Sequence, residues 1–228
     1  MNKRYILGAI IAAVVVVGVL VGLSIAGGDD EKTVSTITDV AAVKKELAGL
    51  PQSGGTIGEA SAPVEITEFG DTSCPICKDA SETSIPDVID QYVRTGKAKL
   101  TFRPVAFISP SSERGALGAE AAAKQDAMWT FIETVYANQG PESQDWLTDD
   151  LLRELVTKIG LDVDQWQRDY ESEAVASAFF EADAAWKAAG GTGTPTFVVK
   201  GPRGTKVFDG AVGISTFEDA IAEVGPAS

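Results

Sequence analysis

The sequence predicts an α/β domain that runs β-α-β, then a block of helices, then β-β-α, set behind an N-terminal apolar segment. Three observations carry this reading. An alternating run, "PVEITEF" at 63–69, leads directly into a Cys-x-x-Cys segment. Residues 112 to 189 place their apolar side chains at helical spacing, and two short β-rich runs joined by "GPRG" follow them. The chain of 228 residues, 44% hydrophobic and 23% charged, suits one core with appendages, because single cores commonly stop growing near ~250–300 residues.

From Tyr5 to Gly28 no residue is charged, and a helix rising ~1.5 Å per residue over this length crosses a ~30 Å hydrocarbon layer. Residues 5–26 therefore read as a transmembrane anchor. Lys3 and Arg4 precede it and Asp29, Asp30 and Glu31 follow it, which leaves residues 1–4 as a cytoplasmic tip and the bulk of the chain outside the cytoplasmic membrane. Ser24 and Ala26 have the small-x-small spacing of a cleavage site, so a cleaved signal peptide and a secreted or periplasmic domain is the competing reading; the apolar run exceeds the usual ~7–15 residues of such peptides. Both readings place the domain where disulfides persist.

Residues 27–54 read as a linker. Its first part, "GGDDEKTVSTITDV", is polar, and Val40, Val43, Leu47 and Leu50 then mark a short amphipathic helix before the break at "PQSGG". The domain proper spans 55–228. After the strand at 63–69, Pro75 suits a first helical turn, where its missing N–H is not needed, so a helix begins at the cysteines and continues to about Arg94 with a bend at Pro86. "AKLTFRPVAFI" at 98–108 is the second strand, parallel to the first across that helix.

The helical insertion covers about 112–189. Leu117, Ala121, Met128, Ile132 and Val135 fall on one face of a first helix; Thr148 caps a second that stops at Gly160. Asp162 and Gln165 form a capping box for a third, and Val175, Phe179, Ala182 and Trp186 stripe a fourth. "TFVVK" and "TKVFDG" then form an antiparallel hairpin, and a last helix starts at Ser215, boxed by Glu218.

Composition excludes several functions. Net charge is −14, from 19 basic and 33 acidic residues; without Lys3 and Arg4 the balance is 17 − 33 = −16. Such a surface repels phosphate backbones, so nucleic acid is not expected as a partner. The chain has no histidine, which removes His-dependent hydrolase chemistry and the commonest metal ligand. Its two cysteines cannot close a four-ligand zinc site alone.

Those cysteines, Cys74 and Cys77, lie three positions apart. A disulfide between them closes too small a loop to remove much unfolded-state entropy, which disfavours a purely structural staple. A thiolate, not a thiol, attacks disulfides, and a helix N-terminus stabilises a thiolate through its unpaired N–H groups and dipole. Cys74 sits at this tip and reads as the residue that attacks or is attacked; Cys77, almost one turn further in, reads as the resolving cysteine. Inert buried thiols are the bland alternative. Glu68 shares strand parity with Val64 and Ile66, so its carboxylate should face the core and could exchange a proton with Cys77; a solvated strand end is the alternative. "GTGTPTF" at 191–197 puts Pro195 at the start of a strand, a setting that suits a cis bond after Thr194 and would expose the Thr194 backbone for strand-like pairing with a substrate peptide. An ordinary loop proline is the competing reading.

"PVEITEFGDTSCPIC", "SIPDVIDQYVRTGKAKLTFRPVAFI" and "GTGTPTFVV" together resemble the DsbA-like thiol:disulfide oxidoreductases of bacterial cell envelopes, over roughly residues 55 to 225. The resemblance implies a thioredoxin-like fold with an inserted all-helical subdomain. It implies Cys74 as nucleophile, Cys77 as resolving cysteine, Pro195 as the cis-proline beside the site and Glu68 in the place of the buried acid. Strong oxidants of this family commonly have Pro-His between the cysteines, where this chain has Pro75-Ile76, and aromatic residues where it has Asp71, Thr72 and Ser73. Asp71 would raise the Cys74 pKa unless turned away.

The expectation is a membrane-anchored, extracytoplasmic oxidoreductase. It passes the Cys74–Cys77 disulfide to substrate proteins bearing cysteines, is reoxidised by a membrane-embedded partner, and needs no metal or organic cofactor. The alternatives are a reductase or isomerase of the same fold and a chaperone-like domain that binds peptides beside Pro195 without turnover.

Overall fold

The computed structural model describes residues 34–227. The expected anchor at 5–26 and the cytoplasmic tip lie outside the described residues, and among the described residues no helix is long and apolar enough to cross a membrane.

Among the described residues the sheet has six strands, β1 (Gln52–Ser53), β2 (Thr56–Ile57), β3 (Val64–Gly70), β4 (Ala98–Pro104), β5 (Thr196–Gly201) and β6 (Gly204–Asp209), in the order β1-β2-β4-β3-β5-β6. β3 (Val64–Gly70) and β4 (Ala98–Pro104) pair in parallel from Val64↔Ala98 to Gly70↔Pro104, and β5 (Thr196–Gly201) lies antiparallel on the other side of β3. β6 (Gly204–Asp209) completes the expected hairpin with β5. β3 alternates as its sequence requires: Val64, Ile66 and Glu68 point into the large core, while Phe69 joins Val105 and Trp186 in a smaller cluster on the other face.

Five of the expected boundaries shift. β4 ends at Pro104, short of Ile108. Two short strands, β1 (Gln52–Ser53) and β2 (Thr56–Ile57), form where "PQSGG" suggested only a break, because Gly55 O accepts N–H bonds from Phe102 (2.9 Å) and the Trp129 indole (2.9 Å) and draws the turn onto β4. The single helix expected from Leu117 to Val135 is two, α3 (Pro110–Ala123) and α4 (Met128–Ala137), separated by a turn in which Asp126 takes φ 54°. The last helix, α8 (Ile214–Val224), is preceded by Gly213 with no side-chain cap, so the Ser215–Glu218 box does not form. The Asp162–Gln165 box is half realised: Asp162 Oδ1 accepts from Gln165 N (2.9 Å), but the Asp162 N–H donates to Gln125 Oε1 (2.9 Å) instead.

The other helices follow their sequence signals. α2 spans Pro75–Val88 with Pro86 inside it and continues as a π-helical turn, Ile89–Val93. α5 (Asp149–Ile159) starts on Thr148, which accepts from Leu151 N, and ends at Gly160, whose φ of 88° suits glycine. α6 (Val163–Tyr170) and α7 (Glu173–Ala188) complete the insertion, α7 with Val175, Ala182 and Trp186 buried.

The segment from Val34 packs on the domain, including the short amphipathic helix that the sequence indicates. Ile37, Val43 and Leu47 are buried in the main core, the last two presented by α1 (Val40–Glu46) and its end. Asn138, just past α4, holds the arm: its Oδ1 accepts from Thr38 N (2.7 Å) and Oγ1 (3.0 Å), and its amide donates to Thr38 O (3.0 Å). Removing a buried group that satisfies several partners costs about 1–3 kcal/mol. Asn138→Ala should therefore lower the unfolding free energy by about 1–3 kcal/mol in a denaturant titration, with amide exchange accelerated over residues 36–39; an unchanged midpoint would contradict this account.

Candidate active site at the tip of α2

The chain leaves β3 at Gly70 and turns through Asp71, Thr72 and Ser73 into α2. Asp71 organises this turn. Its backbone carbonyl accepts from Cys74 N (3.0 Å) and Tyr136 OH (3.4 Å), Oδ1 accepts from Ser73 N (2.8 Å), and Oδ2 accepts from Phe107 N (3.0 Å) and Ile108 N (3.3 Å). The carboxylate is thus turned onto backbone amides. Gln139 holds the other edge, its Nε2 donating to Thr72 O (2.9 Å) and Cys74 O (3.0 Å). Gly115 lets α3 press against Thr72, since a Cβ there would overlap the threonine side chain.

Cys74 is the N-cap of α2, with φ −77° and ψ 117°, and Pro75 follows at N1. Its Sγ accepts the Cys77 N–H at 3.3 Å, and as a thiol donates to Thr194 O at 3.3 Å. The Cys74 pKa falls to about 6, chiefly through a hydrogen bond from the Cys77 side chain; burial opposes this, and the Thr194 side chain and the Cys77 and Ile76 amides add to the lowering. Cys77, fully buried, moves well above its ordinary value through burial first and then through sharing its proton with Cys74. The two sulfurs therefore divide the work: the negative charge rests on Cys74 and the proton on Cys77.

Glu68 is 2% exposed on β3, flanked by Phe102 and Phe197 on the neighbouring strands, and its Oε1 has no hydrogen-bond partner. Burial drives its pKa well above the carboxylate range, and the charges of Glu133 and Cys74 add to the rise. Glu68 is also among the charges that raise Cys77. The Thr194–Pro195 bond is cis, and it sets the Thr194 carbonyl against the Cys74 sulfur. Of the five residues singled out in the sequence, Cys74, Cys77 and Thr194 touch at the tip of α2, Pro195 follows Thr194 across the cis bond, and Glu68 acts on the two sulfurs through its charge.

Other residues shape the site without a local sequence signal. Trp186 donates from Nε1 to Gly193 O (3.3 Å) and Thr196 Oγ1 (3.2 Å) beside the cis bond, and Phe107 stacks on it with centroids 5.4 Å apart. Phe107, whose amide is bound by Asp71, is 54% exposed, and Ile76, between the two cysteines, is 48% exposed. Gln139 and Tyr136 reach the turn from more than 60 residues away in sequence, which no pattern reveals. Glu133 did leave a trace: it is the single charged residue in "MWTFIETVYA", a helix whose residues 128–136 are all buried. Among the described residues no group of three or more His, Cys, Asp or Glu side chains lies close enough to hold a metal ion.

Comparison with known proteins agrees with this geometry. A family model described as thioredoxin matches residues 52–223. A relative from Bacillus cereus, named probable disulfide bond formation protein D, is 36% identical over 124 residues; the match covers 53% of this chain and 57% of that protein, so the chain spans little more than half the relative's length. The crystal structure of oxidised BdbD from Bacillus subtilis superposes with a TM-score of 0.66 at 25% identity, covering 75% of this chain and 94% of that one. DsbA from Chlamydia trachomatis, at 24% identity and a TM-score of 0.63 over 74% of this chain and 89% of that one, shares the fold.

The lowered Cys74 pKa links stability of the reduced protein to pH. A thiol depressed from 9.0 to about 6 stabilises the folded state fully above pH 9, and the gain disappears as pH falls through 6; at pH 7 it is about 1.4 kcal/mol. Urea unfolding of the reduced protein against Cys74→Ser should show this difference shrinking by about 1 kcal/mol between pH 7 and pH 5.5. Iodoacetamide should modify Cys74 with a midpoint near pH 6 and leave Cys77 untouched; a midpoint near 9 would remove the electrostatic argument.

Proposed function

We propose, because this chain belongs to the thioredoxin family, that it is a protein thiol:disulfide oxidoreductase of the DsbA and BdbD kind that donates its Cys74–Cys77 disulfide to substrate proteins outside the cytoplasmic membrane. One observation carries the reading: Cys74 Sγ sits at the tip of α2 with a pKa of about 6, while Cys77 behind it is raised well above its ordinary value.

A substrate thiolate attacks Cys74 Sγ, the Cys74–Cys77 bond breaks, and the electron pair leaves with Cys77 sulfur, which takes up a proton. The second substrate thiolate then attacks the substrate sulfur of the mixed disulfide and expels Cys74 as a thiolate. A stabilised thiolate is a good leaving group, so this second step favours release of oxidised substrate. The same stabilisation makes the reduced pair more stable and the disulfide more oxidising, by roughly 30 mV for 1.4 kcal/mol in a two-electron couple. The Thr194 backbone, facing Cys74 across the cis bond, offers strand-like pairing to the substrate chain, and Ile76 and Phe107 supply apolar contact. The cysteine pair carries the electrons, so the reaction needs no other cofactor. A membrane-embedded partner that accepts them returns the pair to the disulfide.

The apolar run at 5–26, with Lys3 and Arg4 before it and acidic residues after it, supports a single span with its N-terminus inside. On this reading the domain works tethered to the outer surface of the cytoplasmic membrane.

Cys77→Ala should accumulate mixed disulfides through Cys74 on exposure to reduced substrate proteins, and Cys74→Ser should accumulate none; a Cys77→Ala variant that traps nothing would sink the redox reading in favour of a binding domain. The soluble portion should have a reduction potential less negative than the about −270 mV of thioredoxin. A value at or below that figure would reverse the direction to a reductase. Full-length protein should stay with the membrane pellet after alkaline extraction.

A further inference from the structure

Each disulfide donated must bring one proton to Cys77, and Cys77 is fully buried. Cys74 leaves as a thiolate above pH 6 and needs none, so the proton traffic of the reaction runs through the interior side of the pair. Glu68, 2% exposed on β3, faces the core in which Cys77 is buried, its charge acts on Cys77, and its Oε1 has no hydrogen-bond partner. Something must restore its proton.

A second buried carboxyl meets α2 one turn beyond Cys77. Glu133 projects from α4 toward α2, where its Oε2 accepts from Ser81 Oγ at 2.5 Å. Ser81 stands four residues, about one turn, beyond Cys77 on the same helix. Glu133 is 6% exposed, and that exposure opens on a cleft of about 230 Å³ lined by Ser81, Glu82, Pro86 and Ala137 and, from the N-terminal side, by Glu46 and Asp39. Among charged groups, Glu133 acts most strongly on Glu68. One carboxyl thus faces the redox pair and the other faces water.

We propose that Glu133 is a positioning residue for proton transfer: it relays protons between the cleft over Ser81 and the buried Glu68, and so supplies the proton that Cys77 takes up when the disulfide is donated. The inference rests on the oxidoreductase reading above. In the donating direction the substrate thiolate forms its bond to Cys74 Sγ, the S–S bond breaks, and Cys77 sulfur receives the electron pair and the proton of Glu68. The Glu68 carboxylate is reprotonated by Glu133, which takes a proton from water in the cleft. When Cys77 attacks a mixed disulfide, each transfer runs backward.

Glu133 is held in the right range for this. Burial lifts its pKa to about 8, the Ser81 hydrogen bond pulls it down, and Glu46 and Glu82 push it up. The charged or titratable groups that face it are therefore Glu68 from β3, Glu82 from α2, and Glu46 and Asp39 from the arm. Below pH 8 Glu133 carries its proton and can give it; above pH 8 it cannot, so donation per substrate thiolate should slow as pH rises through that value.

The test uses the full chain with its disulfide formed, reduced by dithiothreitol in stopped flow between pH 6 and 10, with rates expressed per dithiothreitol thiolate. The wild type should show a decline centred near pH 8. Glu133→Gln, which keeps the shape and can still accept from Ser81, should react about tenfold more slowly at pH 7 and lose the decline. Ser81→Ala removes the bond that stabilises the Glu133 carboxylate, so the decline should move to higher pH. If Glu133→Gln matches the wild type in rate and profile, or the Ser81→Ala profile does not move, the relay is overturned while the oxidoreductase reading stands. A wild type that dithiothreitol fails to reduce, together with a Cys77→Ala variant that traps nothing, would instead overturn the oxidoreductase reading itself.

Discussion

The placing of the Cys74 sulfur at the tip of α2, beside the Cys77 thiol and 3.3 Å from the Cys77 amide, is the constraint on which the candidate site depends. A helix begins with N–H groups that lack partners, and here the cap that receives them is a thiol in place of the usual hydroxyl or carboxyl. The charge that the helix tip prefers is the charge the chemistry needs. Proline at the next position keeps the first turn formed without asking for another acceptor.

Most of the surrounding structure keeps that tip in place and lets one side of it be reached. Asp71 pins the preceding turn to the amides of Phe107 and Ile108, so the strand end and the connection after β4 move together. The opposite wall is the Thr194–Pro195 segment, braced by Trp186. Cys74 is 4% exposed and Cys77 is not exposed at all, so of the two sulfurs only that of Cys74 lies at the surface. The sheet separates two environments. Its main face carries Val64, Ile66 and the buried Glu68 on the side of the large core that holds the two cysteines, and the other carries Phe69 in a cluster with Trp186.

Features set by short-range rules were legible in the sequence. The Cys-x-x-Cys after a strand, Pro75 at the helix start, the inward parity of Glu68 and the place of Pro195 all follow from local geometry. The capped helix between Thr148 and Gly160 is equally local. What escaped depends on contacts between distant segments. The apolar stripe from Leu117 to Val135 continues across a turn because α3 and α4 both line the same core, so periodicity alone could not show the break at Asp126. The β1–β2 hairpin has two residues in each strand, too few for alternation to register. Gly213 opens the last helix without a side-chain cap, which left Ser215 as a plausible but mistaken start. Gln139 was invisible for the same reason: a glutamine past a helix end has no pattern, and its value lies in the two carbonyls it reaches.

Asn138 and Gln139 are neighbours with different duties. The first grips the arm at Thr38, and the second grips the carbonyls of Thr72 and Cys74. One peptide unit therefore joins the place where the N-terminal strand of chain is moored to the place where the reactive sulfur is aimed.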